Sequence, residues 1–258
     1  MKLTILGSGT FFVNKEVSAS AFVLDMGDKK ALIDCGPGTI LRLSQAGFSF
    51  KDLDYIFISH FHPDHSSDLF PLFMNYNLSD IFSPGTLTKY PTFYGPEGLG
   101  KFMLDYSNLV ELHSVEGYNN VKFVDYTPEM KIDDFTLKTF KVEHKAFNLD
   151  SRAYALRFEI DGKVIAFSGD SSKCEGVQNA CKDADVFVCD TSYPSNQKVN
   201  NVHMNTTEIA EISQNGHVKK LVLDHFYPSF SKYDLLGEVR TGFEGEIIKA
   251  KDLDVIEV

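Results

Sequence analysis

The chain has 258 residues, 43% hydrophobic and 24% charged, with a mean hydropathy of -0.15. That is the composition of a folded globular protein and excludes a disordered tail, a collagen-like fibre and a coiled coil; no run approaches 18 consecutive apolar residues, which excludes a membrane-spanning helix. With 25 Lys+Arg against 36 Asp+Glu the net charge is -11, which counts against nucleic-acid binding held chiefly by phosphate contacts, although a local basic patch or metal ions can still hold a phosphate.

In chain order, the pattern predicts strands at Lys2–Leu6, Ala21–Asp25 and Lys30–Cys35, a helix at Thr39–Ala46 and a strand at Tyr55–Ser59. A helix is expected at about Ser67–Leu78. The stretch Ser79–Pro96, with Pro84, Gly85, Pro91 and Pro96, reads as a surface excursion. Then follow a helix at Gly98–Leu109, strands at Val121–Tyr126, Phe135–Glu143, Ala153–Ile160 and Lys163–Ser168, a helix at Cys174–Cys181 and a strand at Val186–Asp190. A last helix, Thr206–Gln214, has Asn205 as N-cap with Glu208 completing a capping box and stops at Gly216, before a strand at Lys219–Asp224. Tyr55–Ile58 and Val186–Val188 are continuously apolar, as strands covered on both faces are, whereas Phe135–Val142 alternates, as a strand with one wetter face does. With no linker or repeat, residues 1–258 read as a single layered α/β domain.

The four cysteines, Cys35, Cys174, Cys181 and Cys189, form no C-x-x-C pair, and the N-terminus has no secretion-signal pattern. Buried reduced thiols and a cytoplasmic location are expected.

The chemistry concentrates in Ser59-His60-Phe61-His62-Pro63-Asp64-His65: three of the chain's 8 histidines lie here beside an aspartate, just after an apolar strand. In an extended segment His60 and His62 share a face and can chelate one ion. Pro63 disfavours helix at His62 and turns the chain, so Asp64 and His65 aim differently, which suits a second ion close by. One loop cannot complete two sites. His144, Asp170 and His225 each follow a strand-like run, and sites in open α/β folds gather beyond the carboxyl ends of strands. Taken singly, each of the three is as readily a structural residue as a ligand; beside the cluster, the metal reading gains. His113 and His217 have no motif around them and read as solvated. Phe11, Phe12, Phe61, Tyr76, Phe147, Phe226 and Tyr227 lie near the motif segments, and core is the better reading for any one of them.

The His60-x-His62-x-Asp64-His65 motif resembles that of the metallo-β-lactamase superfamily. The segments Leu6–Thr10, Asp34–Thr39, Tyr154–Arg157, Phe167–Asp170, that around His203 and Leu221–Phe226 resemble its ribonuclease Z-like branch over nearly the whole chain. The resemblance implies a four-layer αββα sandwich. It implies a dinuclear zinc site in which His60, His62 and His144 hold one ion, Asp64, His65 and His225 the other, and Asp170 bridges both. Ligation by nitrogen and oxygen alone suits Zn²⁺, and Mn²⁺ or Fe²⁺ also accept such donors. Two ions about 3.5–4 Å apart turn a bridging water into hydroxide near neutral pH, with Asp64 orienting it or taking its proton. By the same resemblance His203 is the general acid for the leaving oxygen, held by Asp190 where the family usually has Glu. The alternative for His203 is a surface histidine at a helix entry.

The chain departs from ribonuclease Z in one respect that bears on substrate. Only 25 residues separate His144 from Asp170, which leaves no room for the long arm with which those enzymes grip transfer RNA. The leading expectation is therefore a zinc phosphodiesterase acting on a small molecule or short oligonucleotide, with tRNA disfavoured. Alternatives are authentic tRNA 3′ processing, lactone or other ester hydrolysis on the same scaffold, and a non-catalytic metal-binding module. No membrane contact is expected, and a homodimer is suggested only by the family's habit.

Overall fold

A computed structural model describes residues 1–83, 85–111, 120–146, 149–150, 152–197 and 201–258. Its elements run β1 (Lys2–Gly7), β2 (Ala21–Asp25), β3 (Lys30–Ile33), α1 (Thr39–Gln45), β4 (Tyr55–Phe57), α2 (Pro63–Ser66), α3 (Leu69–Phe82), β5 (Thr92–Gly95), α4 (Leu99–Leu109) and β6 (Lys122–Asp125). They continue with β7 (Glu129–Ile132), β8 (Phe135–Lys141), β9 (Lys145–Ala146), β10 (Leu149–Asp150), β11 (Tyr154–Ile160), β12 (Lys163–Phe167), α5 (Glu175–Cys181), β13 (Val186–Asp190), α6 (Thr206–Asn215), β14 (Lys220–Asp224), α7 (Leu235–Arg240), β15 (Glu246–Lys249) and β16 (Val255–Glu257).

Two seven-stranded sheets carry the structure, one in the order β16-β1-β2-β3-β4-β5-β6, the other β15-β14-β13-β12-β11-β8-β7. The period-2 alternation of strand side chains explains their stacking. Leu3, Ile5, Phe22, Leu24, Ala31, Ile33, Tyr55 and Phe57 point inward from the first sheet and meet Leu137, Leu156, Phe158, Ile165, Phe167, Val186, Val188 and Val222 from the second in one central core. The intervening residues Val23, Leu32 and Ile56 face the α1, α3 and α4 side. Ala166, Phe187, Cys189, Leu221 and Leu223 face α5, α6 and α7. Three apolar layers between four layers of structure make the expected αββα sandwich. In the central layer Phe57 stacks on Tyr94 at 4.9 Å and meets Phe158 edge-on at 5.0 Å, pairs that each add about 0.5–1.5 kcal/mol beyond their buried area. Among the described residues no helix is long and apolar enough to cross a membrane.

The continuously apolar β4 and β13 are buried throughout, and β8 alternates buried and half-buried as expected. The reading of Ser79–Pro96 is corrected at both ends: α3 runs on to Phe82, and Thr92–Gly95 forms a strand between β4 and β6 with Phe93 fully buried. The four residues of β5 hide between Pro91 and Pro96, both turn signals. Strands β7, β15 and β16 also went unpredicted; all three are sheet edges, where charged residues such as Glu129, Glu246 and Glu257 interrupt the pattern. The Asn205/Glu208 capping box of α6 is present, with both reciprocal hydrogen bonds. Gly216 does end α6, but the left-handed φ of +52° falls on His217; a Cβ at 216 would lie 2.9 Å from Cys181 Sγ, so close packing is what requires glycine there.

Within the second sheet β12, β13, β14 and β15 are parallel, and β8 runs in the same direction through its antiparallel partner β11. Their carboxyl ends therefore open on one edge of the sandwich, facing the loop that leaves β4.

Candidate metal centre

Each predicted residue reaches that edge from its own element. His60 lies in the loop after β4; His62 is extended (φ -60°, ψ 145°) and caps α2, in which Pro63 takes the first helical position and Asp64 and His65 follow. The proline thus does what the sequence suggested: it ends the extended segment and swings Asp64 and His65 away from the His60–His62 side. Gly36 makes the turn possible, because a Cβ there would sit 1.8 Å from the Asp64 carbonyl oxygen. His144 leaves the β8 end, Asp170 the β12 end and His225 the β14 end. His225 has φ +63°, a left-handed conformation uncommon outside glycine.

These seven residues form two clusters that share Asp170: His60, His62, His144 and Asp170, and Asp64, His65, Asp170 and His225, with the ligating atoms of each cluster within 4.8 Å of one another. In the first, His144 Nε2 lies 3.0 Å from His62 Nδ1, and His60 Nε2 and His144 Nε2 are each 3.8 Å from Asp170 Oδ2. In the second, His65 Nε2 is 3.1 Å and His225 Nε2 3.4 Å from Asp170 Oδ1, and His225 Nε2 is 3.5 Å from Asp64 Oδ2. The two oxygens of Asp170 thus face different clusters.

The opposite ring nitrogens set the tautomers. His60 Nδ1 is 3.0 Å from Ser59 Oγ, His65 Nδ1 2.8 Å from Asp34 Oδ2, His144 Nδ1 2.8 Å from the Val202 carbonyl and His225 Nδ1 3.0 Å from Ser192 Oγ. With Nδ1–H donating outward, each of the four presents an Nε2 lone pair to the cluster. His60 Nε2, His65 Nε2, His225 Nε2 and both carboxylate oxygens of Asp64 are buried with no hydrogen-bond partner among the described residues. Five orphaned donor atoms converging on one place is costly unless a cation completes them, so the residues present fit metal ions.

The electrostatics agree. Burial and then the neighbouring His65 charge hold His60 well below the ordinary histidine pKa, and burial followed by His144 lowers His62, keeping both neutral as ligands must be. Burial also opposes charge on His65 and His225, but Asp170 together with Asp34 and Asp64 outweighs it for His65, and Asp170, Asp190 and Asp64 for His225, raising both well above the ordinary value. The same carboxylate field favours any cation at this point.

His203 and Asp190 join the edge from above. Asp190 Oδ2 lies 2.6 Å from His203 Nδ1, so the shorter side chain does reach, and His203 is 3% exposed rather than a surface residue at the helix entry. Burial raises the Asp190 carboxyl, but His203 and His225 outweigh it and hold it well below the usual carboxylate range. The His203 ring stands 5.3 Å from those of His144 and His225, with Tyr227 Oη 3.5 Å from its Nε2.

Sequence reasoning gave no role to Asp34, Ser59 or Ser192. Asp34 accepts from Ser59 N at 2.7 Å and Ser59 Oγ at 2.8 Å besides holding His65, and it does so from φ +56°. It stands at the head of the Asp34–Thr39 segment, but nothing local in that segment states that its carboxylate faces His65. Of the aromatic residues near the motifs, Tyr76 is core while Phe11 and Phe12 are 50% and 60% exposed, which corrects the core reading for those two. His217 is exposed beside Asp183, as expected; His113 and Phe147 lie outside the described residues.

Comparison with known proteins agrees with the fold. Ribonuclease Z of Methanosarcina mazei is 25% identical over 313 aligned residues, covering 100% of this chain and 98% of that protein. The crystal structure of the metallo-β-lactamase fold protein YhfI from Bacillus subtilis superposes with a TM-score of 0.82 at 23% identity, covering 100% of this chain and 99% of that one. Human tRNase Z, short form, does so with a TM-score of 0.76 at 22% identity, again covering 100% and 99%. Fold and site together define a metallo-β-lactamase fold protein of the ribonuclease Z-like branch. Within it, residues 1–250 match the model of the anti-Pycsar protein Apyc1 family, and the chain belongs to that family.

Proposed function

We propose that residues 1–258 act as one domain and form a metal-dependent hydrolase, a phosphodiesterase with two zinc ions, whose substrate is a small-molecule or short-oligonucleotide phosphodiester. The observation that carries this reading is the pair of clusters sharing Asp170, on which five buried donor atoms without hydrogen-bond partners among the described residues converge, four in the Asp64, His65 and His225 cluster and His60 Nε2 in the other. His60, His62 and His144 would hold one ion, Asp64, His65 and His225 the other, and Asp170 both. Ions there supply Lewis acidity toward a phosphoryl oxygen and an acidified water. Asp34, Ser59, Ser192 and the Val202 carbonyl keep the ligating rings aimed. Asp64, with both oxygens in the site, is placed to orient the nucleophile and take its proton. His203, buried against Asp190 and with Tyr227 Oη 3.5 Å from its Nε2, would hand a proton from that nitrogen to the leaving oxygen.

The small-substrate reading is supported by the short connection between His144 and Asp170, and by an alignment longer than this chain, which means that the ribonuclease Z carries segments without counterpart here. The relatives' names favour a second reading, tRNA 3′ processing. Metal-loaded protein should hydrolyse bis(p-nitrophenyl) phosphate, lose that activity to a chelator and regain it with zinc, and contain two equivalents of zinc. Two bound metals without turnover of phosphodiesters, esters or lactones would defeat the hydrolase reading. Efficient trimming of a tRNA precursor with a steep salt dependence would replace the small substrate by tRNA.

A further inference from the structure

The segment between β15 and β16 crosses from the second sheet to the first and is tied at both ends: Ala250 N donates to the Leu223 carbonyl at 2.9 Å, and Leu253 N to the Ile5 carbonyl at 2.7 Å. Asp252 lies between these ties, buried and outside both metal clusters. Its Oδ1 accepts from Ser8 N at 3.0 Å and Ser8 Oγ at 2.9 Å, and its Oδ2 from Ser18 N at 2.7 Å and Arg42 Nε at 3.1 Å. Ser8 and Ser18 stand on the two sides of the loop that joins β1 to β2; its tip, residues 11–16, is exposed, whereas Ser8–Thr10 and Ser18–Ser20 form a buried neck. One carboxylate thus closes the neck with four hydrogen bonds. A buried ion pair such as Asp252 with Arg42 is weak evidence of stability, since apolar residues of the same volume usually serve as well, so its presence calls for a positional reason.

The neck supplies that reason, because it holds both chain neighbours of His225. On one side the Ser8 carbonyl accepts from Phe226 N at 3.0 Å, with Gly9 bridged to Phe226. On the other, Ser20 Oγ donates to Asp224 Oδ2 at 2.5 Å, and Ser20 N is itself fixed by the Gly9 carbonyl at 2.9 Å. His225 sits between these two ties at φ +63°, a backbone state that a residue with a Cβ rarely adopts unless its surroundings impose it. Ser192 Oγ at Nδ1 sets the rotation of the ring; the backbone decides where the ring stands, with Nε2 3.4 Å from Asp170 Oδ1 and 3.5 Å from Asp64 Oδ2. Asp64 and His65 come from the first-sheet side and His225 from the second, so a tie from the β1–β2 neck to His225 also fixes the separation at which these ligands meet.

We infer that Asp252 is a positioning residue for the metal ion of the Asp64, His65 and His225 cluster, acting through the β1–β2 neck on the backbone of His225; this rests on the two-ion reading of the centre. The test is zinc titration of the full chain against a graded competing chelator, with His225→Ala marking which equivalent belongs to that cluster. In Asp252→Asn the NH₂ must face either Ser8 N or Ser18 N and Arg42, so one side of the neck opens. The equivalent missing from His225→Ala should then weaken about ten-fold, with the other as tight as in the parent. Ser20→Ala, which cuts only the link to Asp224, changes no charge and leaves the Asp252 contacts whole, should weaken the same equivalent, and it decides the case if Asp252→Asn does not fold. Parental affinity for both equivalents in either variant, or equal weakening of both, would overturn the positioning role, the second result reducing Asp252 to general stability. A parent that binds fewer than two equivalents would sink the two-ion reading and the positioning role with it, a failure seen in the parent and so distinct from one seen only in the variants.

Discussion

Replacing Asp34 by Asn tests the idea that hydrogen bonds behind the ligands, as much as the ligands, make the centre. Asp34 is 4% exposed and acceptor-only; its Oδ1 receives Ser59 N–H at 2.7 Å, and its Oδ2 receives Ser59 Oγ–H and His65 Nδ1–H, both at 2.8 Å. An asparagine of the same shape must turn its NH₂ toward one of these donors. Toward the backbone amide, it leaves a buried donor facing a donor, at about 1–3 kcal/mol. Toward His65, it pushes the ring proton onto Nε2, the atom that faces Asp170 at 3.1 Å, and His65 stops being a ligand. Either orientation should weaken the site formed by Asp64, His65 and His225 by 10–100-fold, about 1.4–2.7 kcal/mol, and spare the one formed by His60, His62 and His144. Zinc content measured against a graded competing chelator should therefore show one tight and one weakened equivalent. Two equivalents as tight as in the parent, with the melting temperature unmoved, would refute the reasoning.

His203→Ala should lower kcat by 10²–10⁴-fold on a diester with a poor leaving group and much less on a p-nitrophenyl ester, which needs no proton, while zinc content stays the same; an equal loss on both substrates would leave His203 with a structural role only. Gly36→Ala places a methyl 1.8 Å from the Asp64 carbonyl oxygen and should cost about 3 kcal/mol in a urea melt, displacing α2 with it; a loss below about 1 kcal/mol would mean that the loop is far more yielding than its packing suggests. Asp54 is pushed up by burial but more strongly lowered by Lys89 at 2.8 Å, the Lys30 amide and Lys29, so its contribution is present above its ordinary pKa of 3.8 and lost as the pH falls through the lowered value. Asp54→Asn should accordingly melt below the parent at pH 6, by a small amount because the half-exposed Lys29 and Lys89 are screened by solvent, and the gap should close as the pH falls below 3.8; a gap that persists in acid would place the effect in packing rather than charge.

The parts of this protein that could be read before folding are those whose cause is local. Alternation in Phe135–Val142 and the apolar runs at Tyr55–Ile58 and Val186–Val188 are properties of a few neighbouring residues, and the elements formed there. The capping box at Asn205 and Glu208 is likewise a matter of four residues. Strand β5 was missed because its four residues are ordinary and its two prolines loud; it is a strand only because β4 and β6 leave a slot that Phe93 fills. The edge strands β7, β15 and β16 are covered on one side and need no continuous apolar run.

The site divides along the same line. His60 to His65 announced themselves by density within one loop, and His144, Asp170 and His225 by their positions at strand ends. The partition of Asp170 between two clusters is a fact of three dimensions, and so is the burial of His203 against Asp190. Asp34 is the sharpest case. It reads as part of a strand Lys30–Cys35, whereas β3 ends at Ile33 and the left-handed φ of Asp34 goes with the approach of α2: Cys35 N donates to the His65 carbonyl at 2.8 Å and Asp68 N to the Cys35 carbonyl at 2.9 Å. The backbone bonds that dock α2 onto the first sheet therefore also set the aspartate that orients its histidine. Folding of that loop and assembly of the centre are one event, which is why the Asp34 and Gly36 substitutions, one removing a charge and the other adding a methyl, should converge on the same lost metal.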